Sequence, residues 1–242
     1  MPTIAAVSGR SGAADRTFFS TTAMVMLLAA FVGFAPSYYL SSLTGAPAVS
    51  PLVHLHAFVF SAWIILYVTQ VSLVAGGRTD WHRSLGAAGA GLAILVLILG
   101  VTVAIQSGRT GGGGPQRNQT VFLIFPLTNI SLFAGFCLFA VRARRRPQIH
   151  KRLMLLATLS LVVTPLARIS RMAGLPFSPP AVGGMLLSDV VLVALLVFDW
   201  QTRGRPHKVT LAAGSLYLVS QPLRVLIGHT AAWQGLAHRM IG

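Results

Sequence analysis

Apolar residues occur along this chain in seven long stretches that are separated by short polar segments. A helix of about 20 residues, at about 1.5 Å per residue, crosses the roughly 30 Å of hydrocarbon in a bilayer. The stretches lie near 19–40, 52–76, 84–106, 120–142, 151–170, 185–200 and 209–227. The pattern predicts an all-α, polytopic membrane protein, a bundle of seven transmembrane helices.

The composition agrees with this class. Hydrophobic residues make up 54% of the chain and charged residues only 10%, too few to cover the surface of a soluble domain. The first span has no convincing cleavage site, so we expect no removed signal peptide. We predict an N-terminal segment over 1–18, a transmembrane domain over 19–227 and a C-terminal tail over 228–242.

The distribution of charge predicts the orientation. The chain has 19 basic residues against 4 acidic ones, a net charge of +15. With seven crossings, 13 of the basic residues fall on the side of the N-terminus and 6 on the other. The positive-inside rule then predicts a cytoplasmic N-terminus and an external C-terminus. Such cations suit anionic lipid headgroups and require no nucleic acid.

Several chemistries are excluded by residue content. The only lysines, Lys151 and Lys208, stand at span ends, whereas a retinal protein needs a Schiff-base lysine within a helix. The chain has no glutamate, which excludes the His-Glu-x-x-His motif and glutamate-based di-iron sites. The lone Cys137 excludes an intrachain disulfide.

Small residues recur four apart in the third span, in the pairs Gly86 and Ala90, Ala87 and Gly91, and Gly89 and Ala93. Such spacing lets two membrane helices approach closely. We therefore expect the third span to be central to the bundle.

A histidine is followed at once by a cation in His82-Arg83 and in His150-Lys151-Arg152, and each of these histidines lies in a gap between two spans. Both sequences fall on the predicted cytoplasmic side, each at the start of a span. Thr79 or Asp80 is the expected cap of the third span, and Pro147 is the expected first-turn residue of the fifth. We expect the two imidazoles to face each other across these two helices.

Three interpretations of this cytoplasmic site stay open. In the first, His82 and His150 are the axial ligands of a b-type haem iron that exchanges electrons with a nearby quinone. In the second, the site binds an anionic substrate, a quinone or another small lipophile with the help of Arg83 and Arg152. In the third, these residues bind lipid headgroups, and the protein is a non-catalytic transporter or accessory subunit.

A second group of polar residues lies in the predicted external half. On the second span, His56, Trp63, Tyr67 and Gln70 follow helical spacing and form one stripe. A polar and aromatic stripe in a membrane helix should face the bundle interior. Its members either tie helices together or contact a ligand.

Ionisable residues also occur near the external ends of the last three spans, namely Arg168, Asp189 and Arg224. An unpaired carboxylate near hydrocarbon is costly, so we expect Asp189 to pair with Arg168 or Arg224. The group is either a structural link between helices or part of a substrate or proton site.

Five segments together resemble a family of bacterial multi-pass inner-membrane proteins of unassigned function. They are Gly33-Phe34-Ala35-Pro36-Ser37-Tyr38-Tyr39-Leu40, His54-Leu55-His56 with Ala62-Trp63, His82-Arg83-Ser84-Leu85-Gly86, His150-Lys151-Arg152-Leu153-Met154 and Ser220-Gln221-Pro222-Leu223-Arg224. The resemblance implies a seven-helix fold in a bacterial inner membrane and carries no known reaction.

A looser resemblance is to the b-type transmembrane cytochromes, which carry histidines on four central helices. His56, His82 and His150 fall on the second, third and fifth spans, whereas the fourth span has no histidine. The resemblance therefore implies at most one bis-histidine haem, at His82 and His150.

Overall fold

The computed structural model describes residues 4–111, 118–176 and 180–242. Arg117, one of the six basic residues counted on the predicted external side, lies outside the described residues. The regular structure of the described part is helical, with no strand. Its elements are α1 (Ile4–Phe34), a π-helical turn (Ala35–Tyr39), α2 (Ser41–Thr44), α3 (Pro51–Ala75), α4 (Thr79–Arg109), α5 (Gln119–Arg142), α6 (Pro147–Met172), α7 (Pro180–Arg203), α8 (Lys208–Gly228) and α9 (Ala231–Ile241).

Seven of the described helices are long and apolar enough to cross a membrane, and they are α1 and α3 to α8. This confirms the predicted class, a multi-pass membrane protein with seven helical spans. The helices extend beyond their apolar stretches, because a polar turn at the membrane surface can continue a helix. Thus α1 begins at Ile4 rather than near residue 19, and the predicted C-terminal tail contains α9.

The starts of α4 and α6 place their histidines at equivalent positions. Pro147 is the first residue of α6, as predicted. The predicted cap of α4 is wrong, because Thr79 is already helical and Arg78 precedes it without a side-chain cap. The amide of His82 donates to the Arg78 carbonyl at 3.1 Å, and that of His150 to the Arg146 carbonyl at 3.0 Å. Each histidine is thus the fourth residue of its helix.

Five of the long helices pack as a closed ring, in the order α1, α3, α4, α5, α6 and back to α1. Outside the ring, α7 packs on α6 and α1, and α8 packs on α5, α6 and α7. The short α9 covers α4 and α5. We call the end of the bundle at which α4 and α6 begin the histidine end, and the other the opposite end.

The expectation that the third span is central is wrong. A Cβ atom added at Gly86 or Gly91 of α4 would meet nothing within 4 Å, and one at Gly89 would meet the Leu66 side chain of α3 at 3.3 Å. The central helix is α6, which belongs to the ring and also carries the outer helices. A Cβ at Gly33 of α1 would lie 2.5 Å from the Pro165 carbonyl oxygen of α6, so the backbones of α1 and α6 approach closely there. The spacing of small residues shows where a second helix could pack closely, but it does not show whether a second helix is there.

Candidate functional site in the interior of the helix ring

His82 and His150 meet at the histidine end of the ring. Their ring centroids are 6.2 Å apart and their planes make an angle of 83°. Since α4 and α6 are not successive members of the ring, the two side chains reach toward each other across its interior. The structure therefore brings together the two residues that the sequence predicted to face each other.

The His150 ring is held in one orientation. Its Nδ1 lies 2.9 Å from the carbonyl oxygen of Ala140 on α5. A carbonyl oxygen only accepts hydrogen bonds, so Nδ1 carries the proton, and in the neutral ring Nε2 keeps a lone pair. Histidines that bind metals are commonly oriented in this way, by a backbone carbonyl on the nitrogen that does not coordinate.

The His82 ring is partly buried beside the last turns of α3, where it lies against the backbone of Gln70. Its Nδ1 is buried and has no hydrogen-bond partner. A buried nitrogen without a partner costs free energy. The His82 side of the pair therefore has an unused binding atom.

The spacing of the two rings suits a metal between them. In such an arrangement, each coordinating nitrogen lies about 2 Å from the metal and about 1 Å from the centroid of its own ring. The two imidazole centroids are then about 6 Å apart. Among the described residues, no group of three or more histidine, cysteine or acidic side chains could hold a metal ion. Haem iron is an example of a centre for which two protein ligands suffice.

A row of polar atoms without partners continues from this pair along α3. Seven buried side-chain polar atoms of the described residues lack a hydrogen-bond partner, and five of them belong to this row. They are His82 Nδ1, Gln70 Oε1, Tyr67 OH, Trp63 Nε1 and His56 Nδ1. The stripe predicted on the second span is therefore a row of unsatisfied groups, and they face the bundle. Its predicted place in the other half of the bundle, apart from His82, is wrong, because Gln70 at the end of the row lies beside His82.

The middle of the row lies deep in the ring. Trp63 and Tyr67 are only 4% and 5% exposed. The Trp63 ring packs edge-on against Phe133 of α5, with centroids 4.8 Å apart, and α5 is not adjacent to α3 in the ring. Trp63 and Gln70 are about 10 Å apart along the helix axis. Buried polar groups in proteins are nearly always hydrogen-bonded, so this row calls for water or a ligand.

Arg152, predicted to bind an anion, has protein partners for its whole guanidinium. It is fully buried, and its Nε donates to Asp199 Oδ1 at 3.1 Å. Its Nη1 donates to both the backbone and side-chain oxygens of Gln148 at 2.8 Å, and its Nη2 pairs with Asp199. Arg83, by contrast, is exposed beside the site. One feature of the sequence signals this pair, namely an acidic residue within an apolar helix.

Asp199 connects the start of α8 to this ion pair. Its Oδ2 accepts from the His207 amide at 3.0 Å and from the Thr210 hydroxyl at 2.6 Å. His207 in turn caps α8, since its Nδ1 accepts from the Val209 amide at 3.1 Å. Burial of the imidazole and the nearby Arg152 charge lower the pKa of His207. The neutral ring that the cap requires is thereby favoured.

The polar residues of the opposite end are also engaged with the protein. Asp189 Oδ1 accepts from Gln221 Nε2 at 2.6 Å, and the Arg224 charge also acts on this carboxylate. The predicted pairing of Asp189 with Arg168 or Arg224 stays a prediction. Arg224 donates to Asn129 Oδ1 at 2.7 Å and to Ser220, and is 2% exposed. Arg168 donates to Ser37 Oγ at 2.7 Å. Neutral partners, which charge counting does not reveal, link α5, α7 and α8 here.

No family model, curated protein or solved structure matches this chain. The fold and composition define the class, a multi-pass integral membrane protein of seven helical spans. The two family resemblances stated from the sequence stay predictions.

Proposed function

We propose that this protein binds one b-type haem in the helix ring and carries single electrons in the membrane. His82 and His150 would hold the haem iron. The observation that carries the proposal is the perpendicular imidazole pair, with centroids 6.2 Å apart, that bridges the ring. When bound, the haem would supply reversible one-electron transfer.

The protein's own residues would orient and hold these ligands. The Ala140 carbonyl fixes the His150 tautomer. Both histidines are the fourth residue of a helix, and the backbone amide of each is hydrogen-bonded within the first turn. Tyr67 and Gln70 would bind water or the edge of the ligand with their unpartnered atoms.

The anion-binding interpretation has weaker support. All the guanidinium nitrogens of Arg152 have partners in Asp199 and Gln148. Of the two arginines predicted for the cytoplasmic site, Arg83 is therefore the one that has no ion pair among the described residues. The distribution of cations supports a location of the histidine end at the cytoplasmic face of a bacterial inner membrane, with a membrane quinone as electron partner. That location and that partner are part of the proposal.

The test is a reduced-minus-oxidised absorption spectrum of the detergent-purified protein from cells supplied with haem. We expect a Soret band, an α band and about one haem per chain. His82→Ala and His150→Ala should each remove the six-coordinate spectrum. His54→Ala is the matched control, because His54 is exposed on α3 and hydrogen-bonds Tyr38 at 3.2 Å.

Two results would overturn the proposal. The first is a folded wild-type protein with no Soret band after haem supply. The second is a band that persists when both His82 and His150 are replaced, since haem would then be bound elsewhere.

A further inference from the structure

A second concave site lies at the histidine end, away from the imidazole pair. It is a groove of about 670 Å³ between α5 and α8, and α6 contributes to its lining. Ile149 and Leu153 of α6 lie at its base, and Phe139 of α5 and Leu216 of α8 are exposed along its sides. The groove is therefore apolar over most of its surface.

Three arginines line this groove and no acidic residue does. They are Arg142 at the end of α5 and Arg145 and Arg146 in the turn before α6, and all three are exposed. The ion pairs of the described residues, Lys151 with Asp15 and Arg152 with Asp199, include none of them. With 4 acids for 19 basic residues in the whole chain, the anion that balances these arginines has to come from outside the protein.

We propose that this groove, defined by Arg142, Arg145, Arg146 and the apolar walls of α5 and α8, binds an anionic phospholipid. The headgroup phosphate lies on the arginines, and the upper acyl chains lie along Phe139 and Leu216. Guanidinium groups bind phosphate oxygens bidentately, which suits this headgroup.

The dimensions support a lipid rather than a small soluble anion. From Arg142 back to Phe136, the α5 wall runs about 9 Å along the helix axis, so the groove descends from the level of the headgroups into the hydrocarbon. A free phosphate would contact the arginines and leave this apolar wall uncovered. An amphiphile with one anionic end covers both parts.

The test is native mass spectrometry of the full-length protein with phosphatidylglycerol or phosphatidylcholine of identical acyl chains. We expect one tightly retained phosphatidylglycerol, and binding about tenfold or more weaker in Arg142→Gln/Arg145→Gln/Arg146→Gln. The charge-matched control replaces three other exposed arginines of the same end, Arg78, Arg203 and Arg205, by glutamine. It should retain the lipid.

A second variant tests the groove without a change of charge. Ala212→Phe, at an exposed alanine that lines the groove, should fill it and weaken lipid retention. Equal loss in the groove and control triple variants would contradict the proposal, because binding would then follow net charge alone. So would equal retention of the two lipids, or full retention in Ala212→Phe.

Discussion

Two buried tyrosines differ at the scale of single residues. Tyr217 is 1% exposed and donates to Ser188 Oγ at 2.7 Å, whereas Tyr67, 5% exposed, has no partner. In ligand-free protein, Tyr67→Phe should leave the free energy of unfolding unchanged or raise it, because an unsatisfied hydroxyl is removed. Tyr217→Phe should lower it by about 1 kcal/mol. Denaturant titration in detergent measures both, and an equal loss in the two variants would contradict the assignment of an unpartnered Tyr67.

The Arg152–Asp199 pair also acts at this scale. Asp199→Ala leaves a fully buried guanidinium without its carboxylate, and we expect it to lower the free energy of unfolding by about 3–5 kcal/mol. The double replacement Arg152→Met/Asp199→Leu should recover most of that loss. Asp15→Ala, which breaks the partly exposed pair with Lys151, should cost about 1 kcal/mol or less. A single Asp199 variant as stable as the Asp15 variant would contradict this.

At the scale of helices, glycines distinguish a packed part of a helix surface from an open part. A Cβ at Gly184 of α7 would lie 2.5 Å from the Val163 carbonyl oxygen of α6, whereas one at Gly86 of α4 meets nothing. Gly184→Ala should lower the free energy of unfolding by about 1–3 kcal/mol. Gly86→Ala should leave it unchanged or raise it by up to about 1 kcal/mol, since alanine favours helix. Thermal unfolding in detergent compares the two variants. If Gly86→Ala lowered the free energy of unfolding as much as Gly184→Ala does, the conclusion that α4 is not the central helix would be contradicted.

The start of α8 should make stability depend on pH. The folded protein lowers the pKa of His207, whereas the unfolded imidazole has its ordinary pKa of about 6.5. Above that pH the group is neutral in both states. As pH falls below it, the unfolded chain binds the proton first, so the free energy of unfolding decreases through the lower folded pKa.

The control for this pH dependence is His207→Asn. Asparagine can cap α8 and does not titrate, so the contribution of residue 207 should disappear from a plot of unfolding free energy against pH. The charges of four neighbouring residues also act on His207, namely Arg152, Arg203, Asp199 and Lys151. An unchanged slope in the variant would show that another of these groups is responsible.

For the whole molecule, the sequence predicted the seven spans, because length and hydropathy alone determine which helices can cross a bilayer. It did not predict the five-helix ring or the central α6, since apolar faces look alike whether they meet lipid or protein. Helical spacing did predict the inward stripe of Trp63, Tyr67 and Gln70. The Arg152–Asp199 pair and the Gln221–Asp189 bond depend on tertiary contacts between helices, which spacing within one helix does not reveal.

The central claim concerns the whole bundle, a haem held across the ring between α4 and α6. The most direct measurement is electron paramagnetic resonance of the oxidised, haem-loaded protein at low temperature. Two imidazoles at 83° predict a highly anisotropic low-spin ferric signal, which His82→Ala and His150→Ala should convert to high spin. A wild-type sample with no low-spin ferric signal, or a signal unchanged in both variants, would contradict the account.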